Sequence, residues 1–173
     1  MATKKSMWIL FGILVISAWV LGSAIQARAE TMNYKSYVWM NKREAVSVDD
    51  VEGHIVTLAQ RGGFYVLENG EIATITRVSL NDLIKGAGWA LSYETITFPD
   101  GATIVLKRQT TMTGAAGEVT SGESKSEILK GTGRFAGIKG TQSEKTKHLP
   151  AGKGEAGSKQ VGEGTITYTL PSK

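Results

Sequence analysis

The sequence of 173 residues has no cysteine, only three prolines and only two histidines. Without cysteine, disulfides, thiolate zinc sites, iron–sulfur clusters, a cysteine nucleophile and a lipid-modified N-terminal cysteine are all excluded. The histidines, His54 and His148, lie far apart and outside any HxH or HExxH pattern. We therefore expect no metal site, and we expect both histidines at strand ends or on the surface. No GxSxG or SxxK pattern offers a nucleophile for hydrolysis.

The first 29 residues have the three-part layout of a secretory signal peptide. Lys4 and Lys5 precede an uncharged run over residues 7–22, and the small residues Ala27 and Ala29 stand where cleavage requires them. We expect cleavage after Ala29 and a periplasmic or secreted protein. The alternative is an uncleaved leader that acts as a membrane anchor, because the apolar segment nearly reaches the roughly 20 residues that span a bilayer.

The positive charge of the chain belongs mostly to this leader. The full sequence has 20 basic and 16 acidic residues, and three basic but no acidic residues precede residue 30. Residues 30–173 therefore carry 17 basic and 16 acidic residues, a net charge of +1. A chain so close to neutral lacks the basic surface on which nucleic-acid binding depends, so no nucleic-acid partner is expected.

Residues 30–173 predict a single all-β domain. Apolar and polar residues alternate with a period of two, in runs interrupted by turn residues about every ten positions. The predicted strands are 33–42, 53–60, 64–67, 72–78, 88–98, 102–112, 118–127, 138–148 and 164–170. Eight or nine strands suffice to close a small antiparallel barrel, whose interior is filled by side chains or holds one small ligand. An open sandwich is the alternative.

Turn residues predict how some of these strands are connected. Asn69-Gly70 predicts a tight hairpin in which both residues have positive φ, and Pro99-Asp100-Gly101 predicts a second hairpin. Asn81–Lys85 is predicted as one helical turn that Gly86 ends. Residues 149–159 contain few apolar groups and predict a solvated loop between two late strands.

Few residues of the predicted strands carry reactive chemistry. Glu94 and Arg108 lie on neighbouring strands and are expected to form a cross-strand ion pair, with the exterior of the barrel as the favoured side. If the pair faces the interior, Glu94 becomes a candidate general base with a raised pKa. Arg108 and four aromatic residues are candidates to line a ligand cavity, with packing in the core as the alternative for each aromatic residue. The aromatic residues are Tyr65, Trp89, Tyr93 and Tyr168.

The most distinctive local pattern is a group of glycines around one phenylalanine. Gly131-Thr132-Gly133 precedes Phe135, and Gly137 and Gly140 follow. The glycines allow a compact loop with close backbone approach, while Phe135 is expected to anchor the loop in the core. The spacing differs from the dinucleotide-binding GxGxxG pattern and no helix is predicted after it, so no nucleotide cofactor, nor any other cofactor, is expected.

This pattern resembles the allene oxide cyclase and dirigent-type β-barrels, which carry glycine-threonine-glycine, an aromatic residue and a further glycine between two late strands. The matching residues are Gly131, Thr132, Gly133, Phe135 and Gly140, and the strand arrangement agrees loosely over residues 34–170. The resemblance implies an exported bacterial branch of this family, with an eight-stranded antiparallel barrel, a central cavity and often a homotrimeric assembly. Plant relatives cyclise an unsaturated epoxide or direct the coupling of phenoxy radicals. The motif contains no proton donor or charge, so no catalytic residue is carried over.

These observations predict an exported small barrel that binds a small apolar ligand or serves as a structural module. The alternative is an isomerase or cyclase acting on a hydrophobic substrate, and it rests on the resemblance alone. In either case we expect contact with a membrane only through an uncleaved leader.

Overall fold

The structure is a computed structural model that describes residues 29–153 and 157–172. Ala29–Pro171 forms one closed antiparallel barrel in which each strand pairs with its neighbours along the chain and the first pairs with the last. The strands are β1 (Glu30–Ser47), β2 (His54–Leu67), β3 (Ile72–Ile84), β4 (Ala87–Thr97), β5 (Thr103–Ala115), β6 (Glu118–Gly131), β7 (Lys139–Leu149) and β8 (Lys159–Thr169), with one 3₁₀ turn at Gly133–Phe135. The predicted all-β fold and closed barrel are confirmed.

The predicted signal peptide, except for Ala29, lies outside the described residues. Within the described ranges no helix has the length and apolar character needed to cross a bilayer.

The nine predicted strand segments become eight strands because two of them are parts of β2. The strand runs without interruption through Gly62 and Gly63, where the sequence suggested a break. A Cβ atom at Gly63 would collide with the carbonyl oxygen of Tyr37 on β1. Glycine therefore allows the close approach of two paired backbones here, and it does not mark a turn.

Both predicted hairpins are present, but the first has a different turn. Gly70 (φ 84°) and Gly101 (φ 81°) each donate a backbone hydrogen bond of 2.9 Å to the residue three positions earlier, and Asn69 does not adopt positive φ. Each loop is thus a three-residue connection whose last residue is the left-handed glycine. The prediction of two positive φ values at Asn69-Gly70 was wrong because a three-residue loop needs only one.

The predicted helical turn at Asn81–Lys85 is wrong. Asn81 lies in β3, and its side chain points into the barrel and donates a hydrogen bond of 2.6 Å to Thr57 Oγ1 instead of capping a helix. Lys85 and Gly86 have φ values of 50° and 84° and connect the paired residues Ile84 and Ala87. The two-residue turn with two positive φ values therefore occurs here.

The barrel interior changes character along its axis. One half, which we call the apolar half, is filled by large side chains: Leu67, Ile75, Ile96, Phe98, Ile104, Leu106, Ile128, Phe135, Ile138, Ile166 and Tyr168. The opposite half, the polar half, is lined by short polar side chains on six strands: Thr57, Ser79, Asn81, Ser92, Thr110, Ser124 and Thr146. Beyond them lies a small apolar rim of Leu83, Ala90 and Met112, against which Ile55 and Val119 pack.

Candidate functional site

The glycine motif closes the apolar half of the barrel. Phe135 is buried, with its ring 4.6 Å from that of Phe98 and in edge contact with that of Tyr168 at 6.1 Å. Gly133 has φ 59°, and a Cβ atom at Gly131 would collide with the carbonyl oxygen of Phe135. These contacts are those expected of an anchor and a compact loop, so the motif contributes architecture.

Glu94 points into the barrel, between the two halves. Its Oε2 accepts a hydrogen bond of 2.5 Å from Arg77 Nε, and its Oε1 accepts one of 2.5 Å from the Tyr65 hydroxyl. The expected pair with Arg108 on the exterior is wrong in its side of the sheet and in its partner. Glu94 faces the interior, and the strand register places Leu106 opposite it on β5 and Arg77 opposite it on β3.

Arg108 is also interior and pairs with a different acid. Its guanidinium contacts the carboxylate of Glu144 on β7, and its Nη1 donates a weak hydrogen bond of 3.4 Å to Gln142 Oε1. Gln142 Nε2 in turn donates to the hydroxyls of Tyr34 at 2.6 Å and Tyr65 at 3.1 Å. The two ion pairs are thus joined through one amide. We call this group the charged layer: Tyr34, Tyr65, Arg77, Glu94, Arg108, Gln142 and Glu144.

The position of the charged layer follows from the alternation along two neighbouring strands. On β3, Arg77 stands between Ile75 and Ser79 on the inward face, and on β4 Glu94 stands between Ile96 and Ser92 in the same way. The charged layer therefore separates the apolar half from the polar half. Its ionised side chains are at most 4% exposed.

Pairing keeps Glu94 and Arg77 charged despite their burial. Burial alone would raise the pKa of Glu94, but Arg77, Arg108 and the hydrogen bond from Tyr65 outweigh burial, so its pKa lies below the usual value. Burial would likewise lower the pKa of Arg77, but Glu94 and its other partners outweigh it and raise that pKa. The pKa of Tyr65 is raised well above its usual value by burial and by Glu94. The raised pKa expected for an interior Glu94 is therefore wrong. A carboxylate whose pKa is lowered by paired arginines is a weak general base.

The four aromatic candidates divide between the two faces of the sheet. Tyr65 is buried in the charged layer, and Tyr168 is buried in the apolar half, where its hydroxyl donates to Glu30 Oε2 at 2.7 Å. Trp89 and Tyr93 are 48% and 51% exposed on the outside of the barrel. Their expected place in a cavity or core is wrong, because in β4 they alternate with the residues that face inward.

Arg61 is the interior residue that sequence reasoning missed. It lies on the inward face of β2, directly opposite Met40 on β1 and Arg77 on β3, and is 6% exposed. Its Nη1 has no hydrogen-bond partner within the described ranges. Burial, Arg77 and two other arginines lower the pKa of Arg61 to about 9. The period-two alternation places Arg61 on the same face of β2 as Tyr65.

His148 extends this polar environment at the end of β7. Its Nε2 accepts a hydrogen bond of 3.1 Å from Gln160 Nε2, while Gln160 Oε1 accepts one of 3.3 Å from Arg77 Nη1. Burial, Arg61 and Arg77 lower the pKa of His148 to about 4, so the ring is neutral at pH 7. The side chain is half-buried at a strand end.

His54 lies at the start of β2, as expected for a strand-end histidine. Its Nδ1 is 2.6 Å from Asp50 Oδ1 and its Nε2 is 2.9 Å from Asp82 Oδ1, and these hydrogen bonds raise its pKa. Among the residues that the structure describes, no group of three or more acidic, histidine or cysteine side chains is arranged to hold a metal ion.

Comparison with known proteins shows similarity at the level of the fold. Neither a protein-family model nor a curated protein matches the sequence. The solved structure of the pterocarpan synthase dirigent protein GePTS1 matches with a TM-score of 0.51 and 10% identity, over 84% of this chain and 88% of that chain. The pterocarpan synthase dirigent protein PsPTS1 matches with a TM-score of 0.50 and 12% identity, over 84% and 97%. The chain folds as a dirigent-like eight-stranded barrel.

Proposed function

We propose that the protein is an exported binding module that holds one small molecule in the polar half of its barrel, with the apolar body of that molecule against the rim. The observation that carries this proposal is the difference in side-chain size between the two halves. An eight-stranded barrel is just wide enough to be filled by side chains or to hold one small ligand. Isoleucine, leucine and phenylalanine occupy the apolar half, whereas serine and threonine line the polar half.

Unsatisfied polar atoms support the same location. Buried polar groups in folded proteins nearly always have a hydrogen-bond partner. Asn81 Oδ1, Ser36 Oγ and Arg61 Nη1 are buried without one among the described residues. A bound molecule with polar atoms at one end would satisfy such groups, while Leu83 and Met112 of the rim would contact its apolar part.

Native mass spectrometry of the protein, expressed as the full chain and collected after export, tests this proposal. We expect a small molecule to be retained as purified, or after incubation with a mixture of aromatic and aliphatic metabolites. Ser92→Leu would fill part of the polar half and reduce retention, whereas Ser143→Leu on the exposed face of β7 would not. Circular dichroism establishes that both variants are folded. Absence of any retained molecule from the unaltered protein would contradict the proposal.

Export has its own test. We propose that the leader directs the chain across the inner membrane and is removed after Ala29. Intact mass and N-terminal sequencing of the exported protein should give Glu30 as the first residue. A full-length chain in the membrane fraction would support the retained anchor instead.

We also propose that copies of the chain associate through an outer apolar patch, defined as Leu58, Val78, Leu80, Trp89 and Tyr93. The register places Leu58 opposite Leu80 and Val78 opposite Tyr93, so these residues are contiguous on β2, β3 and β4, and each is 41–51% exposed. Because β1 pairs with β8, closure removes the free sheet edges over most of the barrel, which favours association through exposed apolar side chains such as these.

Sedimentation velocity tests the outer apolar patch. The unaltered protein should sediment as an oligomer, with a trimer as the state that the family resemblance implies. Leu80→Lys should shift it to a monomer, whereas Thr141→Lys on the exposed face of β7 should not. A monomer at all concentrations of the unaltered protein would refute the association. The isomerase or cyclase alternative stays a prediction.

A further inference from the structure

We propose that Arg61 and Arg77 form the anion-binding end of the polar half and take the carboxylate of a compact organic acid. This inference rests on the proposed function, since it names the chemical class of the molecule that the barrel would hold. It is carried by two unpartnered guanidinium nitrogens, by their cross-strand position and by the charge balance inside the barrel.

The first observation is that Arg61 is buried without a counterion. It is 6% exposed, its Nη1 has no hydrogen-bond partner, and it takes part in no ion pair that the structure shows among the described residues. All the charged groups that shift its pKa are arginines: Arg77, Arg43 and Arg108. An unpaired buried charge is costly, so such a group is normally found with a partner. The described part of the chain supplies no anion to act as the counterion of Arg61.

The second observation concerns one guanidinium nitrogen of Arg77 that makes no hydrogen bond. Its Nε binds Glu94 and its Nη1 binds Gln160, but its buried Nη2 has no hydrogen-bond partner among residues 29–153 and 157–172. Nη2 lies 3.9 Å from Glu144 Oε2, which is too long for a hydrogen bond. Arg61 and Arg77 are directly opposite each other on the inward faces of β2 and β3. Like charges in that position repel, and one oxyanion between them would convert the repulsion into two charge-assisted hydrogen bonds.

The third observation is the charge balance of the interior. Five ionisable acidic or basic side chains are buried among the described residues, namely Arg61, Arg77, Arg108, Glu94 and Glu144. Glu94 pairs with Arg77 and Glu144 with Arg108, which leaves one positive charge. His148 is neutral at pH 7 and does not alter that count. A ligand with one negative charge would balance the interior.

A further guanidinium, that of Arg43, lies close enough to Arg61 to lower its pKa. Beyond the bulge at Met40, β1 pairs with β2 and no longer with β8. Arg43 lies opposite the buried residue Ala59, so it is on the inward side while remaining exposed. A carboxylate is planar and matches a guanidinium in two hydrogen bonds. A molecule held between the charged layer and the rim must be compact, because large side chains fill the apolar half of the interior.

The test compares acids with their uncharged amides on the protein expressed as the full chain and purified after export. Isothermal titration at constant ionic strength uses benzoate with benzamide and hexanoate with hexanamide, and inorganic sulfate is titrated separately. We expect at least one acid to bind about 10-fold or more tightly than its amide, and sulfate to bind more weakly than that acid. Arg61→Gln should reduce the ratio of acid to amide affinity to about one. Arg134→Gln, which removes an exposed guanidinium at the opposite end of the barrel, should leave the ratio unchanged.

Thermal unfolding without ligand separates binding from structure. Arg61→Gln should unfold at the same temperature as the unaltered protein or higher, so a loss of acid binding would not be due to unfolding. Equal binding of acid and amide, or an acid preference that survives in Arg61→Gln, would overturn the anion site and leave the proposed binding function standing. If sulfate binds as tightly as both acids, the proposal that the ligand is an organic acid would be overturned. If no molecule of any kind is retained or titrates, the proposed function itself fails.

Discussion

The two halves of the barrel interior are lined by side chains of different size and polarity. In the apolar half, aromatic and aliphatic side chains from nearly every strand fill the space, and Phe135 of the 3₁₀ turn closes it. In the polar half, short side chains face the interior, together with Arg61 and several polar atoms that have no partner in the described part of the chain. Burying such groups costs stability, and proteins tend to tolerate that cost at functional sites. The apolar half therefore holds the fold, and the polar half is where function is to be sought.

Removing the anchor of the apolar half should have the largest effect. We expect Phe135→Ala to lower the free energy of unfolding by about 4 kcal/mol, because it leaves a cavity among Phe98, Tyr168 and their neighbours. Phe64→Ala, on the partly exposed outer face of β2, should cost far less. Urea denaturation measures both. Equal losses would show that the apolar half does not carry the stability assigned to it.

Breaking the charged layer should have the next largest effect. Glu94→Gln leaves the buried guanidinium of Arg77 without its acid and should cost about 3 kcal/mol. Glu123→Gln, which breaks an exposed pair with Lys145, should change stability little. If Glu94→Gln is as stable as the unaltered protein at pH 7, the boundary between the two halves is not held by this ion pair.

The polar half should be sensitive to acid through His148. Its pKa in the fold is about 4, below the value of 6.5 in the unfolded chain, so the unfolded chain binds the proton first as the pH falls. Stability is therefore lost between pH 6.5 and pH 4, by up to about 3 kcal/mol. Other groups titrate in this range, so the quantity to measure is the difference in unfolding free energy between the unaltered protein and His148→Gln. Parallel pH profiles would contradict the burial of a neutral ring.

Removing the unpaired charge should have the smallest effect and the opposite sign. Arg61→Met should raise the free energy of unfolding by about 1 kcal/mol in the absence of ligand, because it replaces an uncompensated buried charge with an apolar side chain. Arg77→Met should instead destabilise the protein, since Glu94 would lose its partner. Differential scanning calorimetry distinguishes the two. A clear loss of stability in Arg61→Met would show that Arg61 is a structural residue.

The fold was more accessible from the sequence than the site. Period-two alternation and turn residues give the strands and the closed barrel, and on β4 they correctly separate Trp89 and Tyr93 from Glu94. They do not show which face is inside, because the outer face carries the aromatic residues and the inner face carries a charge. General burial preferences then place Glu94 outside, which is wrong here.

The partners of the charged layer depend on long-range register. Glu94 meets Arg77 across one strand pair, and Arg108 meets Glu144 from two strands further along the chain. No local pattern identifies these pairs, since each depends on the register between neighbouring strands. The turns failed for a related reason: Asn69-Gly70 and Lys85-Gly86 differ in loop length, and strand register decides loop length.

The measurement that tests the central claim most directly is a crystal structure of the protein in complex with 4-bromobenzoate, with the bromine located by its anomalous scattering. We expect one strong peak inside the polar half, with the carboxylate between Arg61 and Arg77 and the ring toward the rim of Leu83 and Met112. Bromine only on the outer surface, with the polar half closed by its own side chains, would contradict the account.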